Sequence, residues 1–132
     1  MKTYTQDEAR EFAKQVMRRT GTLAGQMMAK RMEKNDLAGF AEGYKQGFPN
    51  LEILEESAEK FSVRCDFCGA YDVWVGLGLS EEKISELADI YCLRDIVFAE
   101  AFNPNIKLEF GARIMKGESH CEWNHTFNQP AE

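Results

Sequence analysis

The stretch from Ser80 to Phe127 constrains the fold of this chain more than any other, because it reads as a helix, a stop and a hairpin. Ser80 is a good helix N-cap, Glu81 and Glu82 sit where the helix dipole favours acids, and Asn103-Pro104 ends the run. Between them Ile84, Leu87, Ala88, Tyr91, Phe98 and Phe102 recur at helical spacing, which predicts one buried face on a helix from Ser80 to Phe102. Cys92 and Asp95, three residues apart, would share a side of that helix. After the proline, Ile106, Leu108, Phe110, Ala112 and Ile114 alternate with Lys107, Glu109 and Arg113, the period of a half-buried strand. Lys116-Gly117-Glu118-Ser119 supplies a turn, and Cys121, Trp123, His125 and Phe127 alternate on the way back. Two cysteines, an aspartate and a histidine thus enter one neighbourhood.

Ahead of this stretch the pattern is helical, then mixed. Thr5-Gln6-Asp7-Glu8 matches a capping box. The apolar run that follows it (Ala9, Phe12, Ala13, Val16, Met17, Leu23, Ala24, Met27, Met28) predicts a helix over about residues 5–33. Gly21 inside it is a place for a kink or break. Gly39, Gly43 and Gly47 are each followed by an aromatic residue, Phe40, Tyr44 and Phe48. If helical, they form a smooth stripe beside an aromatic ridge, open to close approach by another element, a flat ligand or a second copy in a homodimer; if not, they form a flexible loop. Leu51 and Ile53 on one strand and Phe61, Val63 and Cys65 on the next predict a second hairpin, joined by Glu55 to Lys60. A short helix over 66–78 follows. Two antiparallel hairpins forming a four-stranded sheet, packed against the long N-terminal helix and further helices, make a single α+β domain over residues 1–132.

Composition limits the functions open to such a domain. With 44% hydrophobic and 29% charged residues it is an ordinary globular chain,. A net charge of −6 argues against a nucleic-acid partner, since phosphate backbones call for a basic face. Lys14, Arg18, Arg19, Lys30, Arg31 and Lys34 gather in the first third, but acids are interleaved, as on a solvated helix face. No apolar run approaches the ~20 residues of a membrane span, and the N-terminus lacks the apolar core of a signal peptide, so the expected compartment is the cytoplasm. There the four cysteines, Cys65, Cys68, Cys92 and Cys121, are expected as buried thiols, metal ligands or nucleophiles rather than disulfides.

Each of those roles has a pattern to match. Cys65-Asp66-Phe67-Cys68 has the spacing of a zinc half-site but no second such pair follows, so a zinc site would need Cys65, Cys68, Cys92 and Cys121 to converge. His125 lies ~13 Å along a strand from Cys121 at about 3.3 Å per residue, too far for one metal. A nucleophile needs a thiol beside a base in a partly enclosed site, and Cys92 with Asp95 is the pair that offers it. Asp95 on an otherwise aromatic face must be hydrogen-bonded, in a solvated pocket, or paired, Arg94 and Arg113 being the candidate partners.

Taken in order, Cys65 before an aromatic helix, Tyr91-Cys92-Leu93-Arg94-Asp95, Phe102-Asn103-Pro104 and Lys116-Gly117-Glu118-Ser119-His120-Cys121-Glu122-Trp123 resemble the L-2-amino-thiazoline-4-carboxylic acid hydrolase family. They are also similar to the wider group of 4-vinyl-reductase-type small-molecule-binding domains. The motifs span roughly residues 60–127. The resemblance implies a hydrolase that opens a 2-aminothiazoline ring to a carbamoyl-cysteine, through water or thiolate attack on the amidine-like carbon. It implies that Cys65, Cys92 and Cys121 line the pocket and take part in catalysis, that Asp95 is the base or orienter, and that Arg113 holds the substrate carboxylate beside Tyr91 and Trp123. It calls for no cofactor; zinc belongs to the four-cysteine alternative. A non-enzymatic ligand-binding or sensor module is the competing expectation, and a small molecule is the partner in either case.

Overall fold

Thr5 opens the first helix, α1 (Gln6–Arg31), with both halves of a capping box: its Oγ1 accepts the Glu8 N–H at 3.1 Å, and its own N–H donates to Glu8 Oε1 at 3.2 Å. The computed structural model describes residues 3–128. Gly21 does not break α1. A Cβ on Gly21 would stand 2.5 Å from the Arg94 carbonyl oxygen, and one on Gly25 would strike the Phe98 carbonyl oxygen. The two glycines are therefore the groove in which another helix lies, α5 (Leu93–Phe102).

The glycine-aromatic segment is helical, α2 (Leu37–Gly47), capped by Asp36, whose Oδ1 accepts the Gly39 N–H at 2.9 Å. Its glycines face the chain itself: a Cβ on Gly43 would meet Met28 Sδ at 2.6 Å, and one on Gly39 would strike the Lys34 carbonyl. Gly39 and Gly43 thus serve packing within the chain, while Gly47 faces open space. Phe40 is fully buried, with the rings of Phe61, Phe102 and His125 around it. Truncating it to alanine would cost about 3–5 kcal/mol.

The strands β1 (Glu52–Glu56), β2 (Lys60–Cys65), β3 (Ile106–Ala112) and β4 (Cys121–Phe127) form one antiparallel sheet in the order β1-β2-β4-β3. Both expected hairpins form, and β2 and β4 join them. Phe61 stands opposite His125, Val63 opposite Trp123, and Cys65 opposite Cys121. The alternating apolar residues therefore share one face, which α2 and α5 cover, with α1 packed behind α5. Asn103 ties two loops together, donating to the Asn35 carbonyl at 2.6 Å and accepting the Asn105 N–H at 2.8 Å.

Three expectations are corrected. The helix from Ser80 to Phe102 is two helices, α4 (Glu81–Tyr91) and α5, joined at Cys92. The break follows from the packing: Ile84, Ala88 and Cys92 bury themselves with Met115 in one core, whereas Ala99 and Phe102 belong to the larger core under the sheet. Ile114 leaves β3 and begins a short 3-10 turn (Ile114–Lys116), which Gly117 closes at φ 93°. The third helix, α3 (Gly69–Gly76), starts later than Asp66, because Asp66 instead holds Arg64 Nε at 3.0 Å.

Candidate active site

A cavity of about 370 Å³ opens where the end of β2, the start of β4 and the α4–α5 junction meet. Cys65 reaches it from the end of β2 and Cys121 from the start of β4, directly across the ladder. Cys68 enters from the N-cap of α3, Cys92 from the helix junction, and Asp95 from the first turn of α5. Tyr91, Trp123 and Arg113 complete the set expected from the sequence, so every residue of it lines one hollow. His125 does not. It is packed among Phe40, Tyr44 and Phe61, and its Nδ1 donates to the Phe61 carbonyl at 3.1 Å, which fixes the tautomer. Burial pushes its pKa down to about 4,. His120 stands apart, its Nδ1 3.0 Å from Ser119 Oγ.

Asp95 is the electrostatic centre of the cavity. Trp123 Nε1–H donates to its Oδ2 at 3.3 Å, and Arg94 Nε lies 3.8 Å from its Oδ1. Burial raises its pKa, and Arg94 and the Trp123 hydrogen bond only partly oppose this,. Of its two candidate partners the structure selects Arg94, since Arg113 lies 3.7 Å from Asp89. Lys116 also binds Asp89, at 3.0 Å. The Arg113 guanidinium stacks 4.8 Å from the centre of the Phe110 ring.

Arg113 reaches this wall because β3 slips. Strict alternation would put it outside with Lys107 and Glu109. A bulge between Phe110 and Ala112 instead sets Ala112 opposite Glu122, and the parity of the following residues reverses,. Gly111 sits in the bulge, where a Cβ would meet Glu122 Oε2 at 2.7 Å.

Two of the thiols, Cys92 and Cys121, are held protonated. Burial, and next the charge of Asp95, push Cys92 up to about 11, with Arg113 lowering it less. Burial also raises Cys121, although the Ile114 N–H donates to its Sγ at 3.3 Å. Cys65 Sγ donates to the Phe67 carbonyl at 3.2 Å. Among the described residues no group of three or more His, Cys, Asp or Glu is placed to hold a metal ion. Two of the four sulfurs in the zinc alternative, those of Cys65 and Cys121, are engaged with backbone groups.

The sequence reading missed Tyr44. Its ring lines the cavity from α2, the residue is only 7% exposed, and its hydroxyl has no hydrogen-bond partner among the described residues. Burial, reinforced by Asp95, raises its pKa, so it is a phenol and a free donor,. The glycine-aromatic recurrence marked α2 but not which ring would face the hollow. Phe48, Leu51 and Phe110 add apolar wall.

A family model described as L-2-amino-thiazoline-4-carboxylic acid hydrolase matches residues 1–124. The match takes in α1 and α2 as well as the motif-bearing second half. No curated protein matches the chain at a significant level. Among the described residues no helix is long and apolar enough to cross a membrane.

Proposed function

The chain belongs to the L-2-amino-thiazoline-4-carboxylic acid hydrolase family, and from that premise we propose that its cavity opens a small, carboxylate-bearing cyclic amidine by adding water. The observation that carries the reading is Asp95, a buried carboxylate on the cavity wall, oriented by the Trp123 N–H and flanked by the Arg94 guanidinium. Burial raises its pKa above the ordinary carboxylate value, which makes the ionised group a stronger proton acceptor,.

The chemistry follows from the groups. Asp95 takes a proton from water as the water oxygen bonds to the ring carbon between nitrogen and sulfur. The bond from that carbon to sulfur or ring nitrogen then breaks as the new hydroxyl becomes a carbonyl; Asp95 returns its proton to the departing atom, and the hydroxyl proton passes to the ring nitrogen of the former amidine. Carbamoyl-cysteine results, and Asp95 is again ionised. Arg113 pairs with the ring carboxylate, a charge-assisted contact. The Tyr44 hydroxyl donates to the amidine region or the incoming oxygen. Cys92 and Cys121 remain thiols at neutral pH, which favours water over thiolate as the attacking group, because the thiolate is the nucleophilic form. Their part is to wall the site with weak donors beside the ring sulfur.

Incubating the protein with L-2-amino-thiazoline-4-carboxylate and following carbamoyl-cysteine by mass spectrometry tests this. Turnover in the native chain that falls about 10²–10⁴-fold in Asp95→Asn is the expected result. No product from the native chain removes the hydrolase reading. Cys92→Ala retaining most of the rate supports water attack, and complete loss there transfers the nucleophile to the thiol. The aromatic lining of Tyr44, Phe48, Phe110 and Trp123 favours a second reading, a binding module of the 4-vinyl-reductase type, for which a bound ring without turnover is the signature.

A further inference from the structure

α1 is apolar on two opposite faces. The face carrying Gly21, Gly25 and Met28 is buried, in large part against α5. At 3.6 residues per turn, Phe12, Val16, Leu23 and Met27 fall on the other side. They are 68%, 40%, 43% and 68% exposed. Four large side chains in line, about 22 Å from first to last at a rise of 1.5 Å per residue, are more than scattered surface apolar residues.

The stripe has a symmetry of its own. Phe12 and Met27 stand equally far from the midpoint between Arg19 and Thr20, and so do Val16 and Leu23. A second α1 laid antiparallel across that midpoint sets Phe12 against Met27 and Val16 against Leu23, twice each, as a two-fold interface requires. The charges run the same way. The first turn of α1 is acidic, with Asp7 and Glu8, and its last turn is basic, with Lys30 and Arg31. Antiparallel pairing brings Glu8 to Lys30 of the other copy and opposes the two helix dipoles, whereas parallel pairing would set like charge on like. Lys30 has no ion pair among the described residues.

We infer that a second copy of this chain docks on the Phe12–Val16–Leu23–Met27 stripe, α1 against α1, antiparallel about a two-fold axis at Arg19 and Thr20. This surface lies on the side of α1 away from α5 and the cavity, so the inference is independent of the proposed reaction. The single like-charge contact it creates is Arg19 against its own copy.

Sedimentation velocity of the full chain over a concentration series is the test. The native chain is expected to associate to a dimer, and Phe12→Glu with Met27→Glu to weaken the dimer at least about tenfold while the far-ultraviolet circular dichroism stays native. Since an apolar-to-acid change can disturb folding, charge exchange gives a second route. Glu8→Lys weakens association by about two- to fivefold, and Glu8→Lys with Lys30→Glu restores it. Arg19→Ala strengthens it. A native chain that stays monomeric at every concentration overturns the inference, as does a dimer indifferent to the Phe12/Met27 pair or unrestored by the charge exchange.

Discussion

Asp95 and His125 are both buried and titratable, and burial shifts each toward its neutral form. Because the pKa of Asp95 is raised in the folded chain, ionising it costs stability as pH rises above the ordinary carboxylate range. Asp95→Asn is therefore expected to keep or raise the thermal midpoint at neutral pH while turnover collapses; calorimetry beside the product assay reads both. For His125 the folded pKa is lowered, so its contribution is complete above the unfolded value of about 6.5 and is lost as pH falls toward about 4,. Urea titrations at pH 7 and pH 5 should show the native chain losing stability at the lower pH. His125→Phe should flatten that dependence while giving up about 1 kcal/mol for the unmet Phe61 carbonyl,.

At the scale of elements, glycine in α1 gives a prediction whose sign separates packing from propensity. On an exposed helix face, Gly21→Ala would stabilise by up to ~1 kcal/mol. Against the Arg94 backbone it should destabilise by about 1–3 kcal/mol, measurable by urea unfolding,. It should also lower turnover, since Arg94 and Asp95 ride on the turn that Gly21 supports. The long helix, both hairpins and the inward alternation of Cys121, Trp123 and His125 were legible because periodicity is a local property of the chain. The break at Cys92 was not, because no proline or glycine marks it and it exists only to serve two separate cores. Nor was the reversal at Gly111, since a bulge depends on the partner strand. Alternation alone would have left Arg113 in solvent, and only the family resemblance pointed it toward a ligand.

For the molecule as a whole, the cavity is the gap between its two cores, with the sheet and helices supplying charged and thiol groups to apolar walls. The cysteines from distant parts of the chain were legible as a set through their order and spacing. Tyr44 was not, because whether a buried ring faces packing or a hollow is decided by how α2 sits on β2. Replacing Arg113 by glutamine should raise KM about 10–100-fold with a smaller effect on kcat if it binds the substrate carboxylate. A crystal structure of Asp95→Asn soaked with L-2-amino-thiazoline-4-carboxylate would test the central claim most directly. The account predicts the intact ring in this cavity, its carboxylate on Arg113 and its amidine carbon facing residue 95. A ring bound elsewhere, or a cavity still empty at saturating ligand, would contradict it.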